Sequence, residues 1–530
     1  MKRTTKIMSA ILACCTALSF AGCKSNSNTQ GSLPDKTLGD QYPVQSDETL
    51  TCWMSLNPNL SSTYSNFGDT PYAKELEKET GIKVKYVHPT SAEQFNLMLA
   101  SDELPDIIEY NWPVSYTGGA EKAINDGIIM DHKEIFEKYA PNLQQYLDSH
   151  KELADSMYTY SGKLAGFPSV EPDGESMVVN GPIVRKDWLD ELGLGIPETV
   201  DDWHTMLTEF KNKKGATAPF AYTSTVGTFK SGFLSGAYNA PWDFFVEDGK
   251  IKYGPMEDGF EDFLKTFNQW YEEGLMDKNV MTADYKTVDA NMLLGKTGAV
   301  FGAIGSGMGK WMTAGKQNDP NYELVAVPYP VLKKGDKPNF TSMSFGFGGM
   351  TASITTNCKN VELAAKLLDY GYTEKGHMLL NFGIEGESYE IKDGEPKYTD
   401  LIVNNSEGLS MANVLPQYAR ASIGGCMVTD KRYLEQYYQY PQQMEALKIW
   451  GDSNAKEHVL PVMIDVLPED VEEASKIMTN VTTYRNEMCS KYMISAEKIN
   501  FEEFRSQLKA LNIDRVLELR QKAYDTYMNK

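Results

Sequence analysis

The sequence lacks a hydrophobic run long enough to cross a membrane, and it lacks the residue spacings of a metal site. The apolar run from Ile7 to Phe20 has 14 residues, and no later stretch is longer, whereas a spanning helix needs about 20. The six histidines are scattered singly and no CxxC is present, so we expect no metal and no cofactor. Beyond the first 23 residues lie four distant cysteines, Cys52, Cys358, Cys426 and Cys489. The sequence cannot choose among their three possible disulfide pairings, and we expect free, mostly buried thiols.

Positive charge is scarce relative to negative charge. The 530 residues carry a formal net charge of −22, and so acidic a surface repels the phosphates of nucleic acid. This balance does not exclude a small neutral ligand, because net charge bears on solubility and long-range attraction. The length predicts roughly two to four domains. We expect a monomer that binds no nucleic acid.

An export signal begins the chain. Three basic residues, Lys2, Arg3 and Lys6, precede the apolar run, and the layout is that of a secretory signal peptide over residues 1–22. The segment SFAGC at 19–23 resembles the lipobox of bacterial lipoproteins. This resemblance implies cleavage before Cys23 and attachment of lipid such as palmitate there. The lipobox usually has leucine where Phe20 stands, and an ordinary signal peptide that contains a cysteine is the alternative.

The segment that follows is typical of a tether. Residues 23–47 contain almost no large apolar side chains and are rich in Ser, Asn, Gly, Pro and Asp. Such a segment cannot bury enough apolar surface to order itself. We predict a flexible tether that, through its lipid, holds a water-exposed body at the extracytoplasmic face of the cell membrane.

From residue 50 onward, short strands alternate with capped helices. We predict strands at 50–54, 83–88 and 106–110, a helix from Thr70-Pro71 to Gly81, and a helix from Ser91 to about Ala100. This βαβα order predicts an α/β fold of mainly parallel sheets with flanking helices.

The same alternation returns later in the chain. Thr199 caps a helix, segments 297–304 and 322–327 have the composition of buried strands, and Asn360 caps a helix that runs to Tyr370. From Val414 onward the pattern is helical.

An ordered set of segments covers nearly the whole chain. The segments are 73–82 (AKELEKETGI), 104–107 (LPDI), 116–127 (YTGGAEKAINDG), 162–168 (GKLAGFP), 184–194 (VRKDWLDELGL), 197–203 (PETVDDW), 364–369 (AAKLLD) with Gly376, and 382–389 (FGIEGESY). Each segment alone is a weak signal. In this order they resemble the family 1 extracellular solute-binding proteins of bacterial ABC importers, especially the long lipoprotein branch.

The resemblance implies a two-lobed, periplasmic-binding-protein-like fold of type II, with a hinge between the lobes and the ligand in the cleft. We place lobe 1 at 48–170 plus 343–400 and lobe 2 at 171–342 plus 401–530. Open α/β sheets bind ligands at the carboxyl ends of their strands, and two such edges that face each other form a cleft that closes around a ligand. The implied partners are the transmembrane permease subunits of an ABC transporter.

Candidate ligand-binding residues are aromatic and polar residues in predicted loops. Sugars present hydroxyls at their edges and apolar C–H faces, so sites for them combine aromatic platforms with polar side chains. Each candidate aromatic has core packing as its alternative, and Arg420 has a structural or solvated role as its alternative. The candidates are Trp53, Asn111, Trp112, Tyr238, Trp242, Asp243, Ser306, Trp311, Phe345 and Arg420.

Two segments resemble known motifs but lack residues that those motifs require. Segment 302–310 (GAIGSGMGK) resembles a phosphate loop, but Ile304 stands where the motif needs glycine, and Trp311 stands where it needs Ser or Thr. Many members of the resembled family carry a calcium loop where this chain has 211–220 (KNKKGATAPF), which contains three lysines and no acid. An oxygen-ligated calcium site cannot be built from that segment.

The sequence thus favours a binding protein that captures a carbohydrate, expected to be an oligosaccharide, and has no catalytic residues. A surface glycoside hydrolase is one alternative, and it would need two carboxylates across a cleft. A receptor or adhesin without a transport role is another. A peptide or another polar solute is the alternative ligand.

Overall fold

The structure is a computed structural model that describes residues 33–61, 63–91, 93–101, 103–172, 177–222, 231–495 and 500–529. The predicted signal peptide and Cys23 lie outside the described residues. The described residues from Pro34 onward belong to one compact unit, and everything below concerns that unit.

Sixteen strands are described. In chain order they are β1 (Thr49–Trp53), β2 (Lys83–Val87), β3 (Ile107–Asn111), β4 (Phe167–Val170), β5 (Met177–Val178), β6 (Asn180–Arg185), β7 (Phe220–Tyr222), β8 (Phe244–Glu247), β9 (Lys250–Tyr253), β10 (Ala299–Ala303), β11 (Leu324–Ala326), β12 (Met343–Ser344), β13 (Phe347–Ile354), β14 (Tyr389–Lys392), β15 (Glu395–Tyr398) and β16 (Met427–Val428).

Helices surround these strands. The described α-helices are Pro71–Thr80, Glu93–Ala100, Trp112–Ser115, Gly119–Asn125, Lys133–Tyr139, Pro141–Ser149, Lys151–Met157, Lys186–Leu192, Val200–Lys214, Gly259–Glu272, Tyr285–Leu293, Lys310–Asn318, Val361–Asp369, Glu374–Phe382, Asp400–Val403, Met411–Tyr418, Lys431–Tyr437, Pro441–Gly451, Val471–Ile494, Phe501–Ala510 and Ile513–Met528. No helix in the described ranges is long and apolar enough to span a membrane.

Local sequence signals explain where the early helices begin and end. The Thr70 side chain accepts a hydrogen bond from Ala73 N, and Pro71 occupies the first helical position. Gly81 ends that helix at φ 74°, a left-handed conformation that favours glycine. The predicted cap at Thr199 is a full capping box with Asp202.

Two separate sheets form the centres of two lobes. The sheet of lobe 1 has the strand order β16-β4-β13-β3-β1-β2, and that of lobe 2 has the order β11-β6-β10-β7. In the first sheet, β1 runs parallel to β2 and β3, whereas β13 runs antiparallel to β3 and β4. In the second sheet, β10 runs parallel to β7 and antiparallel to β6. The α/β fold class is confirmed, with antiparallel pairing at strands that return from the other lobe.

The hinge is a short antiparallel ribbon. Strand β5, which follows the first sheet, pairs with β12, which precedes the return to β13. The chain therefore crosses between the lobes side by side at these two strands, and it crosses a third time after β16 (Met427–Val428), because the helix Pro441–Gly451 packs on β11 of lobe 2. Strand β16 pairs with β4, so Met427–Val428 belongs to the sheet of lobe 1, although the predicted boundary assigned residues 401–530 to lobe 2. A two-residue strand has no periodicity by which the sequence can reveal it.

The end of the predicted tether is docked on lobe 1. The amides of Thr37 and Leu38 each donate to the Glu362 carboxylate at 2.8 Å, and the Tyr42 hydroxyl donates to Lys366 O at 2.8 Å. The chain thus makes hydrogen bonds to lobe 1 from Thr37 onward, whereas the predicted flexible tether extends to residue 47. Its composition gave no sign of this, because the hydrogen-bonding partners come from a helix more than 300 residues away.

Candidate functional site

A cavity of about 570 Å³ lies between the two lobes beside the hinge. This volume is within the range of about 300–1,000 Å³ that is typical of small-molecule sites. Lobe 1 contributes Pro113 and Val114, directly after β3. The first crossing contributes Glu171, directly after β4, and the return crossing contributes Phe345. All four residues lie close behind a strand end or at a strand crossing, where α/β sheets bind ligands.

The return crossing also forms the floor of the cavity. Met343, Ser344 and Gly348 line it, and Asn111 Nδ2 donates to Gly348 O at 3.0 Å. Asn111 Oδ1 is buried and has no hydrogen-bond partner among the described residues. The adjacent Gly349 has φ 87°, and a Cβ there would lie 2.8 Å from Asn111 Oδ1. A side chain at position 349 would therefore displace Asn111.

Lobe 2 closes the cavity with one apolar segment and three charged side chains. Leu460, Pro461, Val462 and Ile464 supply the apolar part. The charged side chains are those of Asp243, Asp465 and Arg520. Two of the three, Arg520 and Asp465, form an ion pair at 2.6 Å. The Arg520 guanidinium also lies 4.3 Å from the centre of the Phe244 ring, which holds it against lobe 2.

Glu171 differs from the other charged residues of the cavity. Its backbone N–H donates to Gly346 O at 2.9 Å and so ties the two crossings together. Its carboxylate makes no hydrogen bond or ion pair with the described residues, and burial raises its pKa. A partly buried carboxylate without a partner costs free energy that a donor from a ligand would offset.

Two of the predicted tryptophans, Trp112 and Trp242, point into the cores of their lobes. Trp112 is fully buried, and its Nε1 donates to Ser353 Oγ at 2.7 Å. Trp242 is 3% exposed and lies between Phe260 and the Arg485 guanidinium, 5.2 Å from the latter. Neither indole offers a face to the cavity in this structure. The short helix Trp112–Ser115 turns the indole inward and leaves Pro113 and Val114 at the cavity wall.

Other predicted residues also have partners within the protein. Trp53 is buried against Phe95, with 5.4 Å between ring centres. Arg420 is buried and forms an ion pair with Glu109 at 2.7 Å.

Three more predicted residues belong to lobe 2 and do not line the cavity. Trp311 is buried, and its Nε1 donates to Asp289 Oδ1 at 2.7 Å. The Tyr238 hydroxyl is hydrogen-bonded to Thr266 at 2.5 Å, and Ser306 is exposed on the π-helix Ile304–Gly309. These positions follow strands or turns, as predicted, but their side chains do not line the cavity.

Of the ten predicted residues, Asp243 and Phe345 line the cavity and Asn111 supports its floor. Sequence reasoning missed Glu171, the segment 460–465 and Arg520. A usable signal existed for two of them. Glu171 directly follows a strand at the predicted first crossing, and LPVMID at 460–465 is an apolar stretch that breaks the helical pattern after a proline. Arg520 lies within a regular helix, so its sequence context carried no signal.

Lysines that form hydrogen bonds and ion pairs occupy residues 211–220. Many members of the resembled family carry a calcium loop in that segment. Lys211 Nζ donates to Glu273 O, Lys213 pairs with Glu209, and Lys214 pairs with Glu191. Ammonium groups in this segment repel a cation, so the residues present do not fit calcium. No group of three or more His, Cys, Asp or Glu that fits a metal occurs among the described residues.

Two lobes, a hinge of paired crossings and a cavity between the lobes define a solute-binding protein fold. The model of the bacterial extracellular solute-binding protein family matches residues 64–378, more than half of the chain. The chain therefore belongs to that family.

Individual relatives agree with this assignment. The fructooligosaccharide ABC transporter substrate-binding protein FusA of Streptococcus pneumoniae is 27% identical, over 99% of both chains. Lipoprotein LipO of Bacillus subtilis is 27% identical over 68% of this chain and 72% of its own length. Among solved structures, the alginate-binding protein AlgQ2 without calcium ion is similar with a TM-score of 0.75 and 25% identity, over 90% of this chain and 98% of AlgQ2.

Proposed function

We propose that this protein captures an oligosaccharide in the cavity between its lobes and delivers it to the permease of an ABC transporter. The observation that carries the proposal is the composition of the cavity wall. Apolar side chains such as Val114, Phe345 and Leu460 suit the C–H faces of sugar rings, and carboxylates such as Glu171 suit their hydroxyls. The names of FusA and AlgQ2, which specify fructooligosaccharide and alginate, support a saccharide as the ligand.

The protein binds its ligand without transforming it in this proposal. Of the three carboxylates in the cavity wall, Asp465 is paired with Arg520, and Asp243 Oδ1 accepts a hydrogen bond from Phe244 N at 3.0 Å. Hydrolysis of a glycosidic bond needs a free acid and a free base or nucleophile across the bond. Incubation of an oligosaccharide with the protein is expected to leave its chain length unchanged by chromatography. Release of shorter products would instead support the hydrolase alternative.

A ligand screen tests the proposed ligand class. The body of the protein, residues 34–530, is mixed with oligosaccharides of two to six units, with monosaccharides and with peptides, and its melting temperature is measured. A ligand that binds only the folded state raises the melting temperature by mass action. We expect a rise with at least one oligosaccharide and micromolar affinity by calorimetry, which corresponds to about −8 kcal/mol. A rise with peptides alone would overturn the proposal.

We also propose that lipid on Cys23 anchors the protein at the extracytoplasmic face of the membrane, as a monomer. The motif at 19–23 and the lipoprotein relative LipO support this. In a host with lipoprotein processing, Cys23→Ala is expected to release the protein from membranes into the medium. A variant that stays in the membrane fraction would contradict the anchor.

A further inference from the structure

The two lobes touch at a glycine in the floor of the cavity. Gly349 lies in strand β13 of lobe 1, and a Cβ there would lie 3.1 Å from Pro113 Cγ of the same lobe. It would also lie 3.0 Å from Cγ1 of Val462, which belongs to the apolar segment that closes the cavity from lobe 2. The side chain of Val462 therefore crosses the cleft and lies against lobe 1.

Further contacts between the lobes lie beside this point. A smaller cavity is lined by Gly118 and Tyr160 of lobe 1 and by Val466 of lobe 2. At the surface, Lys456 of lobe 2 forms an ion pair with Glu152 of lobe 1 at 3.6 Å. The structure thus describes the lobes closed on one another, and these contacts must separate when the cleft opens.

Closure leaves one polar atom of the floor without a partner. Asn111 Nδ2 donates to Gly348 O at 3.0 Å, but Asn111 Oδ1 is buried and accepts no hydrogen bond from the described residues. A Cβ at Gly349 would lie 2.8 Å from this oxygen, so Oδ1 and the Val462 methyl group lie against the same glycine. A methyl group donates no hydrogen bond, whereas water reaches Oδ1 once Val462 has moved away. Closure therefore costs the free energy of an unpaired acceptor.

Asn111 acts on a ligand indirectly in this arrangement. Because Oδ1 is buried when the lobes are closed, a ligand in the adjoining cavity does not reach it. The unpaired oxygen affects binding only through the equilibrium between open and closed lobes. A ligand shifts such an equilibrium through its different affinity for the two states.

We propose that Asn111 keeps the closure of the lobes reversible. Val462 covers the side-chain oxygen of Asn111 without offering a donor, so the closed form is favoured only when a bound ligand contributes the compensating free energy. This inference rests on the proposed function, because it concerns how the same cavity releases its ligand. The unpaired acceptor is expected to change the ratio of closed to open molecules about tenfold.

Asn111→Leu tests the inference without any ligand. Leucine is close to asparagine in size and lacks the unpaired oxygen, and the loss of the Nδ2 donor leaves only the carbonyl of the exposed Gly348, which water can satisfy. Spin labels at positions 152 and 456 measure the separation of the lobes, since the exposed ion pair that they replace contributes little stability. We expect the ratio of closed to open molecules to rise about tenfold over that of the parent.

Val462→Thr is a second, independent test. Threonine keeps the shape of valine and brings a hydroxyl donor beside Asn111 Oδ1, so it is expected to favour the closed form. Combined with Asn111→Leu, the hydroxyl has no acceptor and this preference is expected to disappear. Val403→Thr, on the helix Asp400–Val403 and 39% exposed, is the matched control and is expected to leave the label distances unchanged. Melting curves verify that all variants fold.

A ligand then connects the equilibrium of the lobes to release. The oligosaccharide that gives the largest rise in melting temperature in the ligand screen is expected to dissociate from Asn111→Leu at least threefold more slowly than from the parent. Weaker binding with unchanged label distances would show instead that Asn111 is a direct ligand contact, and the inference would be wrong.

Two further results would overturn the inference while leaving the proposed function intact. One is a parent protein that is already fully closed without ligand. The other is an unchanged closed fraction in Asn111→Leu, or in Val462→Thr if Asn111→Leu does not fold. If the closed fraction rises as expected but no saccharide binds, the proposed function fails and the effect of Asn111 on closure remains.

Discussion

The cores of the two lobes are built by different means. In lobe 1, buried polar groups hold the packing together. Trp112 Nε1 donates to Ser353 Oγ, and the fully buried His132 donates through Nδ1 to Met130 O and accepts through Nε2 from Ile354 N, both at 2.8 Å. These bonds tie strand β13 to the segments on either side of it.

In lobe 2, indole rings pack directly on glycines. A Cβ at Gly181 would lie 2.3 Å from the Trp450 ring, one at Gly298 would lie 2.6 Å from Trp188, and one at Gly302 would lie 2.9 Å from Trp311. Gly181 and Gly302 belong to neighbouring strands, β6 and β10. The sheet is therefore shaped to accept flat aromatic surfaces.

The difference predicts which changes destabilise each lobe. A core held by specific hydrogen bonds is sensitive to the loss of a partner and to protonation. A core held by close contact of glycine and indole is sensitive to added volume, because packed interiors have little free space. The following experiments test this contrast, from the largest expected effect to the smallest.

Trp112→Ala is expected to have the largest effect. Removal of a fully buried indole leaves a cavity and deprives Ser353 Oγ of its donor, so we expect a loss of about 3–5 kcal/mol in the free energy of unfolding. Chemical denaturation measures it. Trp112→Phe retains a ring but not the donor, and a smaller loss is expected. If Trp112→Ala melts like the parent but loses sugar affinity, Trp112 is a binding platform after all.

His132 makes the stability of lobe 1 depend on pH. Burial, the largest cause, lowers its pKa from 6.5 to about 4. Because the folded state disfavours the proton, the stabilisation from neutral His132 is complete above pH 6.5 and is lost as the pH falls toward 4. Between these two pH limits, the contribution of His132 to the free energy of unfolding changes by about 3 kcal/mol.

A variant isolates this contribution. Unfolding free energies of the parent and of His132→Gln are measured from pH 7 to pH 4, so that the carboxylates titrate in both proteins. We expect the parent to lose stability more steeply over this window, whatever the absolute cost of the substitution. Parallel curves would show that His132 does not titrate as inferred.

Gly181→Ala tests the packing of lobe 2. The added methyl group would meet the Trp450 ring, and overpacking of this kind costs about 1–3 kcal/mol. Gly195→Ala is the matched control, because no atom lies within 4 Å of the corresponding Cβ position. The control is expected to melt like the parent, and a similar loss in both variants would argue against the contact with Trp450.

The smallest expected effect is that of a chelator. Lys211, Lys213 and Lys214 occupy the segment where a calcium loop would need acids. Addition of EDTA should change neither the melting temperature nor the affinity for a sugar. A clear fall in either would reveal a metal site beyond the described residues or one that forms only with ligand.

The sequence predicted the early strands and helices of lobe 1 well, because their signals are local. The Thr70 cap, Pro71 and Gly81 bound a helix within a dozen residues, and β1, β2 and β3 lie within two residues of their predicted positions. The short strand pairings β5–β12 and β16–β4 could not be predicted from local signals. Two residues provide no period, and their partners are distant in the chain.

The candidate site shows the same division. The sequence by itself determined the family, the two-lobed α/β class and several of the loops that reach the cleft, since composition, caps and motif order are properties of neighbouring residues. Only the tertiary structure decided which way each side chain in those loops points. Trp112 turned to Ser353 and Trp242 turned to Arg485, while Val114 and Asp243 faced the cavity. The physical reason is that a large indole gains most free energy where both of its faces are buried, and those surroundings exist only after distant segments have packed together.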